Sequence, residues 1–241
     1  MKKLDGFQLK LIAMFVMLLD HLRNYFPEIF PAWIHPLSRL VAPIFAYLMV
    51  EGFFYTRNRL KYNLRLLGWA IFMSVGNLVL NSILNTKDVY VANNIFMTLA
   101  LGMTLLNIIE LARNNKGIKR IGLIISSILL LPLLIFTEGG IAVIPFILIT
   151  YLFRGNMKKT IIGYIVLSLV LFKMSFIWYG DIVSTIDMLM FNSDFLLVLA
   201  IPFILAYNGE RGINNKFTKY IFYIFYPMHI WILAIFRYIL N

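Results

Sequence analysis

The chain has 241 residues, 61% of them hydrophobic and 14% charged, with a net charge of +11 and no cysteine. That balance excludes an ordinary soluble domain, and the missing thiol excludes disulfides, a thiolate nucleophile, a thioester enzyme intermediate and a cysteine-ligated metal. Three histidines scattered along the chain do not make a zinc site, and the basic residues fall between apolar runs, where membrane topology accounts for them better than nucleic acid does.

A spanning helix needs roughly 20 mostly apolar residues. Such runs recur near 8–27, 36–56, 62–84, 92–112, 120–137, 139–153, 160–178, 194–208 and 219–239. They predict an all-α, polytopic helical bundle in the lipid bilayer, with roughly nine transmembrane helices in one integral-membrane domain over residues 1–241. The opening segment "MKKLDGFQLK" is basic and leads into an apolar stretch without a small-residue cleavage site, so it reads as a retained first helix. The stretch 120–153 contains Pro132 and the break "TEGG", and fits either two tilted spans or a re-entrant pair. Internal repeats are not evident.

With the N-terminus in the cytoplasm and the spans alternating, the segments carrying Lys2, Lys3 and Lys10, then "RNRLKYNLR", "RNNKGIKR", "RGNMKK" and "ERGINNKFTK", all fall on the cytoplasmic side. Together they hold 17 of the 22 basic residues, the pattern that orients membrane proteins. Asp181, Asp187 and Asp194 fall in one outer loop.

Polar groups interrupt this apolar background at particular depths. The first helix carries "FVMLLDHLRNYF", with Asp20, His21, Arg23 and Asn24. Ionisable groups within a span are costly and usually functional. His21 lies eleven residues beyond Lys10, a depth of about 16 Å. His229 lies ten residues beyond Lys219, a depth of about 15 Å. The two histidines are therefore expected at one level near the middle of the membrane. Asp20 shares a face with Arg23 and Asn24 and is expected to pair with Arg23. His21 projects about 100° away from Asp20, so its partner must come from another helix. The second span places Arg39 towards the outer side and Glu51 towards the inner side. Pro43 and Pro227 are expected to kink their helices, freeing the carbonyls of Arg39 and Tyr223. At the inner end, Arg57, Arg59, Lys61 and Arg65 cluster, and "YNGERG" adds Arg211. Besides setting topology, such a cluster could hold phosphates.

The segments "LIAMFVMLLDHL", "SRLVAPIFAYLMVEGFFYTRNRLKYNLRLL", "NNIFMTLALG", "YNGERG" and "YIFYIFYPMHIWIL" follow the order and spacing of the TraX family. The chain resembles that family from residue 11 to about residue 233. Where the family leads one to expect Asp-Tyr-Gly, this chain has "TEGG", with Glu138 in the acidic place. The resemblance implies a multi-pass protein of the bacterial cytoplasmic membrane. It also implies a membrane acetyltransferase that takes its acyl group from cytoplasmic acetyl-CoA. The acceptor would be a pilin-like peptide amine, an amino sugar or a glycan hydroxyl. The family is similar to a wider group of membrane acyltransferases, whose usual catalytic candidate is a histidine in the outer part of the first helix; by motif, His21 matches it, and Arg39, Glu51, Tyr62, Arg65, Arg211 and His229 fall on polar positions of the TraX pattern. His21 is then the expected general base, with Asp20, Arg39 and His229 counted beside it as catalytic candidates. Glu51, Arg57, Tyr62, Arg65 and Arg211 are the expected acetyl-CoA residues. The same polar midplane also suits a proton-coupled transporter. A non-catalytic subunit assisting surface-polymer assembly is the third alternative.

Overall fold

The computed structural model describes residues 3–241, save the side chain of Lys216; Lys2 and that side chain, both assigned above to the cytoplasmic face, lie outside the described residues. Helices occupy each of the nine expected segments: α1 (Gly6–Tyr25), α2 (Ile34–Ser38) with α3 (Val41–Tyr55), α4 (Arg59–Leu84), α5 (Ile95–Arg113), α6 (Gly117–Ile135), α7 (Gly140–Leu152), α8 (Met157–Ser175), a 3-10 helix (Asp194–Ala200) running into α10 (Ile201–Ala206), and α11 (Lys216–Leu240). A further short helix, α9 (Ile182–Phe191), was not expected. Five helices, with α2 and α3 taken as one, are long and apolar enough to cross a membrane; a sixth results if α9 and the helix after it, bent by 61°, form one span.

Asparagine sets many of the helix starts. Asn58, Asn94, Asn156 and Asn215 each accept a hydrogen bond from a backbone N–H three residues on, at the heads of α4, α5, α8 and α11. Asp5 does the same for α1, in a reciprocal pair with Gln8. These side chains satisfy donors that a helix start leaves free.

Two expectations about the second span need correction. It is not one helix but breaks at Arg39 and Leu40. Pro43 then lies in the first turn of α3, where its missing N–H is one the helix would leave unbonded anyway, so it marks a start rather than a kink. Pro227, by contrast, does sit inside the continuous α11.

Helix α1 packs against both α3 and α11, while α3, α5 and α7 carry much of the buried core. Along α1, Lys10, Met14, Met17 and His21 recur at three- and four-residue spacing and share one stripe. Along α3 the corresponding stripe is Val41, Phe45, Leu48 and Gly52. At the periphery, α6 buries only Leu134, and α4 and α8 leave Leu64, Ile71, Leu78, Ile162, Val166 and Leu169 exposed. Helices apolar on their outward faces match hydrocarbon rather than water as surroundings.

Candidate functional site

The two histidines, 208 residues apart in sequence, are brought together: Nδ1 of His21 lies 2.6 Å from Nε2 of His229. Both side chains are buried, at 4% and 7% exposure. The protons in this pair follow from its surroundings. Nδ1 of His229 lies 2.7 Å from the carbonyl oxygen of Phe225, one turn back on α11. A carbonyl can only accept, so Nδ1 of His229 carries the hydrogen. In the neutral ring Nε2 of His229 is then an acceptor, and Nδ1 of His21 donates to it. That leaves the lone pair of His21 on Nε2. Among the described residues, His21 Nε2 makes no hydrogen bond, and His21 lines a cavity of about 130 Å³. His229 lines neither this cavity nor the larger one below; it supports His21 from behind.

Asp20, Arg39 and Glu138 line the same cavity. Contrary to the expected pairing with Arg23, Asp20 faces α2: His35 Nδ1 is 3.1 Å from its Oδ1, and Arg39 Nη2 is 3.4 Å from its Oδ2. His35 on α2 and Arg39 at its C-terminal cap, four residues apart, share the face turned towards α1. Arg39 also donates from Nη1 to Asp194 at 3.2 Å, while its Nε is buried and unpartnered among the described residues. His35 Nε2 meets the carbonyl of Phe191 at 3.1 Å. His35 Nδ1 also lies 3.4 Å from Arg39 Nη2, so this nitrogen sits between the Asp20 carboxylate and the Arg39 guanidinium.

Glu138 is presented by the turn joining α6 to α7. Gly139 takes the left-handed conformation there (φ +65°), and a Cβ on Gly140 would stand 1.9 Å from the Leu134 carbonyl, so both positions demand glycine. Three donors converge on the Glu138 carboxylate: the Asn93 side-chain amide at 2.9 Å, the Tyr226 hydroxyl at 2.9 Å and the Asn94 backbone N–H. Burial pushes the Glu138 carboxyl above the usual carboxylate range, with the three donors pulling the other way. Tyr226 accepts in turn from the Ile95 N–H at 3.2 Å. The carboxylate so ties the head of α5 to the turn of α11 that precedes His229.

A second cavity, of about 580 Å³, opens at the end where the basic residues gather. Of the five residues expected there, Glu51, Tyr62, Arg65 and Arg211 line it, together with Lys10, Lys219, Phe222 and Tyr223. Arg57 does not. It lies exposed in the turn ahead of the Asn58 cap, between the wall residues Thr56 and Tyr62. Glu51 lines the cavity with its carboxylate already engaged by Arg154 Nε at 3.0 Å. Aromatic rings support the cations: Lys10 stands 5.1 Å from the Phe222 ring and Arg65 5.9 Å from the Tyr62 ring.

The two cavities share no lining residue. On α1, Met14 separates Lys10 from Met17; on α3, one turn separates Leu48 from Phe45; on α11, one turn separates Tyr223 from Tyr226. The layer between them is therefore one helical turn, about 5 Å, on α3 and α11 and two turns, about 10 Å, on α1.

Sequence reasoning missed His35 and gave Glu138 too little weight. A signal for Glu138 was available in the adjoining glycines, which mark a turn held for its shape. For His35, flanked by Pro31 and Pro36 in a connecting segment, composition offered none.

The family model described as "TraX protein" matches residues 5–237. The chain is similar to "Probable fimbrial assembly protein FimC, serogroup H1" of Dichelobacter nodosus, at 28% identity over 95% of this chain and 94% of that protein. No solved structure matches. With the family model spanning nearly the whole chain, from the Asp5 cap to the last turns of α11, this protein belongs to the TraX family.

Proposed function

We propose that the protein is a membrane acetyltransferase, with His21 Nε2 as the general base and acetyl-CoA as the acyl donor. The observation that carries this reading is the hydrogen-bond chain from the Phe225 carbonyl through His229 to His21, which fixes a lone pair on the cavity side. The acceptor's N–H or O–H gives its proton to Nε2 as the nucleophile attacks the thioester carbonyl. The tetrahedral oxyanion then collapses, the C–S bond breaks, and the CoA sulfur leaves with that proton. Imidazole is suited to both transfers near neutral pH.

The other candidates divide the remaining work. His229 holds the tautomer of His21. Tyr226 is committed to Glu138, so the unpartnered Nε of Arg39 is the better-placed donor to an oxyanion in this cavity. Asp20 and Asp194 hold the Arg39 fork. Lys10, Arg65, Arg211 and Lys219 give the larger cavity the charge to receive CoA phosphates. The acyl arm reaches His21 when the layer around Met14 parts, and methionine is the side chain best suited to repack.

This reading sets the protein in the bacterial cytoplasmic membrane with the basic cavity inward, the N-terminus cytoplasmic and nine crossings. The fimbrial assembly relative favours a pilin-like peptide as acceptor over an amino sugar or glycan. The test compares envelope peptides and glycans from cells carrying the wild-type protein or His21→Ala by mass spectrometry. Loss of one acetyl mass from one species in the variant, with unchanged membrane insertion, is the expected result. Full acetylation by His21→Ala removes the mechanism.

A further inference from the structure

We infer that the groove between α5 and α6 at the basic end is a binding site for an anionic phospholipid. The groove encloses about 240 Å³ and is lined by Ile109, Ala112, Arg113, Arg120, Ile124 and Ile128, with Ser127 turned onto its own helix. Its head and floor differ in chemistry. Arg113 and Arg120 stand at the head, and between them in sequence lie Lys116, at the cap of α6, and Lys119, in its first turn. Below them the lining is aliphatic and faces outward from the bundle.

Among the described residues, neither arginine forms a salt bridge. There Arg113 meets the Tyr151 hydroxyl at 3.0 Å and its ring at 5.1 Å. The neighbouring carboxylate, Glu110, is taken by Arg59 and Tyr151. Arg120 makes no salt bridge among the described residues. Two uncompensated cations above an apolar hollow match a phosphodiester above an acyl chain. Guanidinium forks bind phosphate oxygens, and basic pockets between membrane helices recognise anionic head groups. Topological retention needs the charges but not the hollow beneath them.

The experiment uses the full chain in mild detergent, with thermal unfolding and retained lipid measured together at low salt. The probes are phosphatidylglycerol, phosphatidylcholine of the same acyl chains, and glycerol phosphate without chains. Phosphatidylglycerol should raise the unfolding midpoint and be retained over phosphatidylcholine on the order of tenfold. Arg120→Gln should weaken that preference, and Arg113→Gln with Arg120→Gln should abolish it. Ile124→Trp, which fills the groove and keeps both charges, should also abolish it. Lys158→Gln with Lys159→Gln, an equal charge loss at the head of α8, should leave it intact. Equal retention of the two lipids, an unaltered preference in the double-arginine variant, or the same stabilisation from chain-free glycerol phosphate would each overturn the assignment. None of these readings depends on acetyl transfer.

Discussion

Glu138→Ala should destabilise the folded bundle by about 2–4 kcal/mol, although Glu138 touches neither histidine. The substitution strands the Asn93 amide, the Asn94 N–H and the Tyr226 hydroxyl in a buried site. Side-chain hydrogen bonds in membrane proteins average about 0.6 kcal/mol, so three give about 2. Stranded buried donors cost about 1–3 kcal/mol each, and removing a buried charge returns part of that, which sets the upper end near 4. Tyr226→Phe removes one donor and leaves the carboxylate two others, so it should cost about 1 kcal/mol. The assay is reversible unfolding in mixed micelles on addition of a denaturing detergent, followed by circular dichroism. The double variant is the sharper measurement: Tyr226→Phe should cost less in the Glu138→Ala background than in the wild type, because its partner is already gone. A loss below about 0.5 kcal/mol for Glu138→Ala, the range of an ordinary surface change, would refute the convergence of three donors on that carboxylate.

The chain has only three histidines, so uniform ¹⁵N-histidine labelling in bilayers resolves every ring. His21 and His229 should both appear as neutral rings protonated at Nδ1; an Nε2-protonated His21 contradicts the direction of the hydrogen-bond chain. His229→Phe keeps an aromatic ring beneath His21 but removes its acceptor, and acetyl transfer should fall by about 10²–10⁴-fold, the range for general-base competence. A rate within a factor of two of wild type would show that the tautomer is held by something else. Arg65→Gln with Arg211→Gln should reduce the thermal stabilisation given by CoA at least tenfold in apparent affinity, while Arg57→Gln, outside the cavity wall, should leave it unchanged. Equal losses in both would mean that the charges act through the general field of that end rather than within the cavity.

Depth was legible in the sequence and direction around the helix axis was not. Counting from Lys10 and Lys219 set His21 and His229 at one level because rise per residue is fixed, and the rings do meet. Counting could not say which helices adjoin, so Asp20 was assigned to its own helix neighbour Arg23 when α2 supplies His35 and Arg39 instead. The α2–α3 break was hidden for a related reason. Leu40, Val41 and Ala42 are apolar whether the chain continues straight or turns, and only the place of Pro43 hinted at a start. Arg65 and Arg211 followed from charge clustering, since cations placed there by topology also surround a hollow at that end, whereas Glu51 and Tyr62 followed only from the family resemblance. The short α9 escaped because its ten residues are too few to register as a span.

The thin layer around Met14 has an electrical consequence. In the orientation proposed above, the basic cavity faces inward and the layer that divides it from the His21 cavity is one to two helical turns deep, so much of the transmembrane voltage would drop across that layer. A unit charge carried past Met14 would then work against that share of the resting potential, which in full is about 2.3 kcal/mol for each 100 mV. Protons exchanged at His21 from the far side would not cross that layer. A cell could therefore run chemistry at that imidazole without draining the gradient its membrane maintains.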